Sequence, residues 1–428
     1  MSLAELARRF ESLAATVSMG SRTLLGLDTN PVPGEWTHIT KVDPEAEKQL
    51  PVLYPLYLSH TSAVSVGGSQ DVTDRNTEET FELLADASVP AFHEPSAAEH
   101  VTEQTRDLAA FTAIPEVLNG DSQALVGTLG EGLAYVREDL GPGIVEEKIG
   151  VSLDGLFGDR LGDLAAAWLM EESVFEAYII MNTDSAAARE ANVSEDDLLT
   201  AREAKQRAMA AEHHLESEII YLEYSGTFGG DEAAELLEAI DDGVTWSRIW
   251  YGGGLDNREA VETVRDAGAD AIVVGDVFHD IAELESELSA VARSTFAGED
   301  VDRERLREWV EERIDVGDSS AARFLSTIPS VTDPTDRAAE YLAAGVETLL
   351  ELEAIADRMT EPDLSEIRAV LEEDTLPGES ELTGLMRNGA TPVARRIAEG
   401  LLADRFDVTT DERFVDDHIA ADLGPSGR

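Results

Sequence analysis

Apolar residues in the first two thirds of the chain form short runs that end in a glycine or a carboxylate, and such runs predict buried β-strands. The clearest run covers residues 219–226, where Ile, Ile, Tyr and Leu lead to one carboxylate, Glu223, before a Ser-Gly turn. Similar runs predict eight strands in all, at residues 36–44, 63–68, 89–94, 108–114, 175–181, 218–224, 248–253 and 271–275. Helical spacing between them predicts helices at residues 77–87, 198–212, 232–240 and 258–267. Strands that alternate with helices form parallel sheets with right-handed crossovers.

Eight strand–helix units in about 250 residues predict a (β/α)8 TIM barrel, with a doubly wound open sheet as the alternative. After residue 280 the pattern becomes helical throughout and Gly-rich turns disappear, which predicts a small all-helical C-terminal domain. The helices are predicted at residues 281–296, 302–315, 319–326, 336–358, 364–373, 379–386 and 392–406. We therefore predict an N-terminal helix (residues 2–18) and linker within residues 1–34, the barrel at 35–299, and the helical domain at 300–428.

The composition gives the chain an unusually large negative charge. The chain has 88 acidic and 32 basic residues, a formal net charge of −56, and lysine occurs only at positions 41, 48, 148 and 205. Acid spread evenly over a chain that is 43% hydrophobic is typical of a folded protein from a high-salt cytoplasm, where salt screens self-repulsion. No basic stripe is available to neutralise phosphates, so we expect no nucleic-acid binding.

The chain contains no cysteine, which excludes disulfides and thiolate chemistry. No signal peptide and no run of about 18 apolar residues is present, so we expect a cytoplasmic protein. If its substrate is a lipid, we expect contact at the membrane surface or with a soluble lipid precursor.

Glycines follow the last two predicted strands, at 252–254 and at Gly275. Glycines at this end of a barrel let the backbone N–H groups approach an anion, and in barrels that anion is commonly a phosphate monoester. Their alternative role is to make tight turns. Asp276 conflicts with a phosphate site unless its carboxylate points away or caps the next helix.

Three further positions carry candidate chemistry. Glu223 can accept a proton or hold ligand hydroxyls, and Tyr221 shares its face of the strand; the alternative is a structural carboxylate paired with an arginine. Lys41 and Asp43 alternate in the same way on the first strand. Asp43 can bind Mg²⁺ through oxygen, with Ser69 as a second ligand, although both residue types also cap helices at such turns.

These motifs together resemble those of the geranylgeranylglyceryl phosphate synthase family. The matching segments are Trp-x-His-Ile-x-Lys-x-Asp-Pro at 36–44, Ser-Val-Gly-Gly-Ser at 65–69, Glu-Ala-Tyr-Ile-Ile-Met-Asn at 176–182, Tyr-Leu-Glu-Tyr-Ser-Gly at 221–226, Tyr-Gly-Gly-Gly at 251–254 and Ala-Gly-Ala-Asp-Ala-Ile-Val-Val-Gly at 267–275. They occur in the family's order and cover roughly residues 35–285.

The resemblance implies transfer of a geranylgeranyl or longer group from its diphosphate to the free primary hydroxyl of sn-glycerol 1-phosphate, with Mg²⁺. It implies metal ligation by Asp43 and Ser69, and a catalytic role for Glu223, Tyr221 and Lys41, the last of which sits beside Asp43. The implied glycerol-phosphate site comprises Tyr221, Leu222, Glu223, Tyr224, Ser225, Gly226, Gly253, Gly254, Gly275 and Asp276.

The chain departs from the family in three places. Ser225 follows Tyr224 directly, Asp276 stands where a neutral residue is more usual, and residues 1–34 and the helical C-terminal region have no counterpart in the basic barrel. The extra helices are candidates for forming a homo-oligomer, binding a partner or covering the prenyl groove. Two other functions stay open at this stage: a barrel that acts on another sugar or heterocycle phosphate, and a non-catalytic paralogue used for interaction.

Overall fold

The computed structural model describes residues 28–45, 48–68, 71–140, 158–297, 299, 301–373, 375–410, 418–421 and 423. In this part of the chain eight parallel strands close into a barrel in sequence order, and the last strand pairs with the first. The strands are β1 (His38–Val42), β2 (Ala63–Val66), β3 (Ala91–His93), β4 (Thr112–Val117), β5 (Ser173–Ile180), β6 (Ile219–Glu223), β7 (Arg248–Gly252) and β8 (Ala271–Val274). The predicted (β/α)8 barrel is confirmed, and the open sheet is wrong.

The fourth strand lies further along the chain than the pattern predicts. Residues 108–114 are predicted as strand, but β4 begins at Thr112. Thr102 accepts a hydrogen bond from the backbone N–H of Thr105 and so caps a helix at Glu103–Leu108. Leu108 therefore ends a helix instead of beginning a strand.

Helices cover the outside of the barrel, as expected for strands buried on both faces. They are α1 (Tyr54–Leu58), α2 (Asp74–Leu84), α3 (Glu103–Leu108), α4 (Thr128–Tyr135), α5 (Gly158–Glu172), α6 (Ala186–Glu190), α7 (Ala201–Ala210), α8 (Gly230–Asp241), α9 (Arg258–Asp266) and α10 (Asp276–Thr295). Short 3₁₀ turns occur at Ala98–His100 and Glu195–Asp197, and π-helical turns at Gln123–Gly127, Val136–Leu140 and Ala211–Leu215. The predicted helix at residues 2–18 lies outside the described residues.

Aromatic rings fill the barrel interior. The ring of Phe92 lies 6.0 Å from that of Trp36 and 5.7 Å from that of Trp250, measured between centroids. All three side chains are at most 8% exposed. Rings of this size fill the space between the strands, as expected for the packed interior of an eight-stranded barrel.

Helices follow the barrel, as predicted. They are α11 (Arg303–Arg313), a 3₁₀ turn (Val316–Asp318), α12 (Ser320–Thr327), α13 (Pro334–Asp357), α14 (Leu364–Glu373), α15 (Glu379–Leu382) and α16 (Ala390–Arg405). The helix predicted at 379–386 is shorter than expected, because Thr383 is extended and Gly384 has a φ of +88°. Among the described helices, none is both long enough and apolar enough to cross a membrane.

The helical region shares its hydrophobic core with the barrel. Phe324 of α12 lies against Phe278 of α10 with ring centroids 4.9 Å apart, and Tyr341 of α13 lies 5.2 Å from Tyr57 of α1. Both sets of rings belong to one continuous cluster of buried residues. The boundary at residue 300 stays a prediction, but the two parts pack as one body of apolar side chains.

Candidate active site

A cavity of about 1060 Å³ opens at the carboxyl ends of the strands. We divide its lining into three parts. The polar floor includes Lys41, Glu94, Tyr178, Tyr221 and Glu223, and the glycine-rich edge consists of the turns after β6, β7 and β8. The apolar arm is lined by aliphatic side chains that come largely from α4 and α5. This end of a parallel barrel is where loops from different strands bring side chains together. The predicted residues Lys41, Asp43, Tyr221 and Glu223 all line it.

Glu94, which follows β3, is the centre of the polar floor. Its carboxylate accepts hydrogen bonds from Lys41 Nζ at 3.3 Å, from Ser65 Oγ at 2.8 Å and from the Tyr178 hydroxyl. The sequence prediction missed this residue. A signal was present, because Glu94 ends the apolar run at 89–94 just as Glu223 ends the run at 219–224.

The floor carries an ion pair between Lys41 and Glu94. Burial alone would lower the pKa of Lys41, but Glu94, Asp43 and Glu223 outweigh that effect and raise it above its ordinary value. Burial would raise the pKa of Glu94, but Lys41 and the two hydroxyl donors hold it below its usual value. Both groups are therefore charged at neutral pH.

A second carboxyl group, that of Glu176, is buried within electrostatic reach of Glu94. Glu176 of β5 alternates with Tyr178 and is 1% exposed. Burial, together with the nearby charge of Glu94, raises the pKa of Glu176 well above its ordinary value. A raised pKa favours the protonated form of this side chain, which would limit the negative charge next to Glu94.

Glu223 and Tyr221 share one face of β6, as the alternation predicts. Glu223 is 3% exposed and accepts a hydrogen bond from the backbone N–H of Ser225 at 3.2 Å. Burial raises its pKa above the ordinary value for a glutamate. The ring of Tyr221 stacks on that of Tyr178 with centroids 4.4 Å apart, which fixes its orientation at the cavity wall.

The backbone conformation and close packing of the turns at the glycine-rich edge require glycine. Gly226 and Gly254 have φ angles of +80° and +50°. A Cβ on Gly254 would lie 2.4 Å from the carbonyl carbon of Thr227, and one on Gly253 would lie 2.5 Å from Cβ of Tyr224. Tight turns thus account for these glycines, and the same turns bring Ser225, Gly226, Gly253 and Gly254 to the cavity.

The carboxylate of Asp276, which the sequence analysis set against a phosphate site, is partly offset by a lysine. Its carboxylate pairs with Lys48 Nζ at 2.6 Å, and both residues line the cavity together with Gly275. The side chains of Leu222 and Tyr224 belong to the layer between the strands and the outer helices. Any contact of these two residues with a ligand in the cavity would come from their backbone.

Asp43 is suited to a hard cation. Burial raises its pKa to about 6 although the charges of Lys41 and Lys48 act to lower it, so this carboxylate would be stabilised by a further positive charge. Within the described residues no side chain donates a hydrogen bond to that carboxylate, and no cluster of three or more His, Asp or Glu side chains is arranged to hold a metal. Mg²⁺ commonly uses one or two protein carboxylates and takes its other ligands from water and substrate phosphates, so Asp43 fits it. Ser69, the second predicted ligand, lies outside the described residues.

Aliphatic side chains line the apolar arm of the cavity. Its walls come from the end of β4, the turn after β3, and helices α4 and α5. They include Ala97, Ala98, Val101, Ile114, Val117, Ala124, Leu129, Leu133, Val136, Leu169 and Met170. A cavity that joins an apolar wall to a charged centre suits a ligand with an ionic head and a hydrocarbon tail.

The sequence is similar to those of a known family and of several known proteins. A sequence profile of the PcrB family matches residues 33–295. The geranylgeranylglyceryl phosphate synthase of Haloquadratum walsbyi is 32% identical over 58% of this chain and 88% of its own length. The heptaprenylglyceryl phosphate synthase of Bacillus pumilus is 31% identical over 61% of this chain and 98% of its own length.

Among solved structures, the chain is similar to (S)-3-O-geranylgeranylglyceryl phosphate synthase from Thermoplasma acidophilum in complex with sn-glycerol-1-phosphate. That similarity has a TM-score of 0.41 and 19% identity, and covers 57% of this chain and 86% of the other.

Proposed function

The chain belongs to the PcrB family, and from that premise we propose that it is a prenyltransferase that joins a geranylgeranyl or longer group from its diphosphate to sn-glycerol 1-phosphate. The observation that carries the proposal is one cavity that combines a buried carboxylate, a glycine-rich edge and an apolar arm. The names of the relatives from Haloquadratum and Bacillus support the same reaction class.

The glycerol phosphate would bind at the glycine-rich edge. Gly253, Gly254 and Gly275 line the cavity there, and their backbone N–H groups would donate hydrogen bonds to the phosphate. Its hydroxyls would then face Glu223 and Tyr221, which line the adjoining wall. Holding both ends of a small substrate lowers the entropic part of the barrier.

Glu223 would take the proton as the ether forms. The free primary hydroxyl of the glycerol attacks the allylic carbon, the bond from that carbon to the diphosphate oxygen breaks, and diphosphate leaves with the bonding electrons. The hydroxyl proton passes to the Glu223 carboxylate. A raised pKa makes this carboxylate a stronger base than a free glutamate.

Lys41 would supply fixed positive charge beside the reacting centre. Its ion pair with Glu94 holds the ammonium at the cavity floor, so little reorganisation is needed when charge separates. Mg²⁺, held by Asp43 and by Ser69 if the latter is a ligand, would offset the charge of the diphosphate when bound. The apolar arm would take the prenyl chain out of water, at about 0.8 kcal/mol for each buried CH₂.

The test is an assay for a lipid-extractable product. Purified protein at molar KCl is incubated with Mg²⁺, labelled glycerol 1-phosphate and prenyl diphosphates of increasing length, with and without EDTA. We expect product with geranylgeranyl diphosphate or a longer donor, and loss of product with EDTA. No product from any donor, with circular dichroism showing a folded chain, would contradict the proposal.

A barrel that acts on another sugar or heterocycle phosphate would show a small, closed polar pocket. The apolar arm is the observation that favours the prenyltransferase over it.

A further inference from the structure

The helical region reaches the candidate active site. Arg323 of α12 lines the same cavity as Gly253, Gly254 and Gly275. It lies 28 residues beyond the stretch that the PcrB family profile matches, which ends at residue 295. The cavity of this chain is thus partly built from a segment that the family profile does not cover.

Helix α12 is fixed against the barrel at its N-terminal end and along its length. Ser320 Oγ donates to the carbonyl of Asp280 on α10 at 3.1 Å. Phe324 is fully buried and lies edge-on to His38 of β1, with ring centroids 5.7 Å apart. These contacts set the position of the backbone from which Arg323 projects.

The C-terminal end of α12 is held as firmly. Thr327 Oγ1 lies 2.9 Å from Nε2 of His38. The guanidinium of Arg258, on the helix that follows β7, donates to the carbonyl of Ile328 at 3.0 Å and to that of Val331 at 2.7 Å. The barrel therefore presents α12, and with it Arg323, in one orientation next to the loops after β7 and β8.

Acidic side chains outnumber cations among the described residues of the cavity lining, so an additional cation would matter for binding an anion. The described residues that line the cavity include three cations, Lys41, Lys48 and Arg323, and a larger set of acids. The acids are Asp43, Glu45, Glu94, Asp184, Glu190, Glu223, Asp256, Asp276 and Asp280. A doubly charged phosphate would enter a strongly acidic cavity, so each cation that is not already neutralised matters.

Two of the three cations are engaged. Lys41 pairs with Glu94 at 3.3 Å and Lys48 with Asp276 at 2.6 Å. Arg323 forms no ion pair within the part of the chain that the structure describes, and its side chain is exposed. A guanidinium in this state can bind a phosphate through two parallel N–H donors without breaking an existing pair.

We propose that Arg323 binds the phosphate of the glycerol substrate, so that the helical region completes a phosphate site whose other half is the glycine-rich edge. The inference rests on the proposed function for the identity of the ligand. The phosphate monoester is proposed because α12 packs against α9 and α10, the helices that follow β7 and β8 and the glycines of the cavity edge. Asp43, the candidate for the Mg²⁺-bound diphosphate, also contacts α10, since its backbone N–H donates to Nε2 of His279 at 3.1 Å, so the KM of the prenyl diphosphate is measured as well.

The experiment measures binding separately from turnover. Isothermal titration of the full chain with glycerol 1-phosphate, and with inorganic phosphate as a smaller probe, compares the wild type with Arg323→Ala and Arg323→Lys at one fixed KCl concentration. Loss of a charge-assisted pair predicts roughly tenfold or greater weakening for Arg323→Ala. The lysine variant should recover part of it. Arg313→Ala is the matched control, since Arg313 is also an exposed arginine of the helical region and lies outside the cavity lining.

Unchanged affinity in Arg323→Ala, with an unchanged melting temperature, would overturn the inference, and so would a wild type that binds neither phosphate. A loss that affects only the KM of the prenyl diphosphate would also overturn it, since it would assign Arg323 to the diphosphate. If the wild type binds glycerol phosphate through Arg323 but forms no prenyl product, the proposed function fails and the phosphate site stands.

Discussion

The ammonium of Lys41 lies 3.3 Å from both carboxylate oxygens of Glu94, across the floor of the barrel from β1 to the loop after β3. The pair gives an acidic cavity a cation at a fixed position. It also keeps that ammonium from pairing with Glu223, whose charge contributes to the raised pKa of Lys41. Glu223 is thus left without that ion pair, as its proposed role as a base requires.

Glu94→Gln should lower kcat roughly tenfold to hundredfold, because Lys41 then becomes free to pair with Glu223 or Asp43. The negative charge of Glu94 also raises the pKa of Glu223, so its removal should move the acidic limb of the pH–rate profile to lower pH. Kinetics across pH check both effects. The fold should survive, because glutamine can still accept from Tyr178.

Glu103→Gln on α3 is the control for this change, since Glu103 is exposed and lies outside the cavity lining. A Glu94→Gln variant with wild-type kcat and an unshifted pH profile would remove the ion pair from the mechanism.

Glu223→Gln should reduce kcat by roughly 10²- to 10⁴-fold, the usual contribution of a general base. The same change should stabilise the fold at neutral pH. Burial raises the folded-state pKa of Glu223 above its unfolded value. The stability it contributes is therefore present at low pH and is lost as pH rises through the folded pKa.

Above the folded pKa, the buried charge of Glu223 lowers the free energy of unfolding, and a neutral amide at this position removes that destabilisation. Denaturant titration at pH 7.5 should show a higher midpoint for Glu223→Gln than for the wild type, whereas at about pH 4 the two should be equal. Equal midpoints at both pH values, or an active variant, would contradict the role assigned to Glu223.

The extent of what could be predicted differs between the fold and the site. All eight strands could be located because each is a short apolar run with its own turn, as at residues 219–226, which form β6 and the loop after it. The error at β4 arose because Leu108 is apolar and adjacent to the true strand. Periodicity alone does not distinguish the last residue of a capped helix from the first residue of a strand.

The site was less accessible to sequence reasoning. Lys41, Asp43 and Glu223 could be found because strand ends converge in any parallel barrel. Arg323 could not be found, since its place at the cavity depends on how α12 docks on α10. That docking is set by the packing of Phe324 against Phe278, which no local pattern encodes. Glu94 lies between these cases, because its position was predictable but its partners were not.

His38→Gln should reduce the loss of stability at acid pH. His38 is buried between Thr61 and Thr327, and burial lowers its pKa to about 3. The imidazole therefore stays neutral in the folded chain but takes up a proton near pH 6.5 when unfolded. The stability that this neutral, buried imidazole contributes to the fold is present at neutral pH and is lost as pH falls through 6.5 towards 3.

Between pH 7 and pH 5 this difference in proton binding lowers the free energy of unfolding by about 2 kcal/mol for one histidine. Denaturant titrations at the two pH values should show that the free energy of unfolding falls further in the wild type than in His38→Gln, by about 2 kcal/mol. His213→Gln is the control, because His213 is largely exposed, and it should behave as the wild type does. A His38→Gln variant with the full wild-type pH dependence would show that His38 titrates in the folded chain.

Leu133→Glu should impair use of the prenyl diphosphate while leaving glycerol-phosphate binding intact. Leu133 of α4 lines the apolar arm, whereas its neighbour Ala134 is exposed and does not line the cavity. A carboxylate in the arm would have to be desolvated beside a hydrocarbon chain, which costs several kcal/mol unless it is protonated. We therefore expect the KM for the prenyl diphosphate to rise at least tenfold and the affinity for glycerol 1-phosphate to change less than twofold. Ala134→Glu adds the same charge to the same helix on its exposed side and should leave both quantities unchanged, so equal behaviour of the two variants would show that the prenyl chain does not lie in this arm.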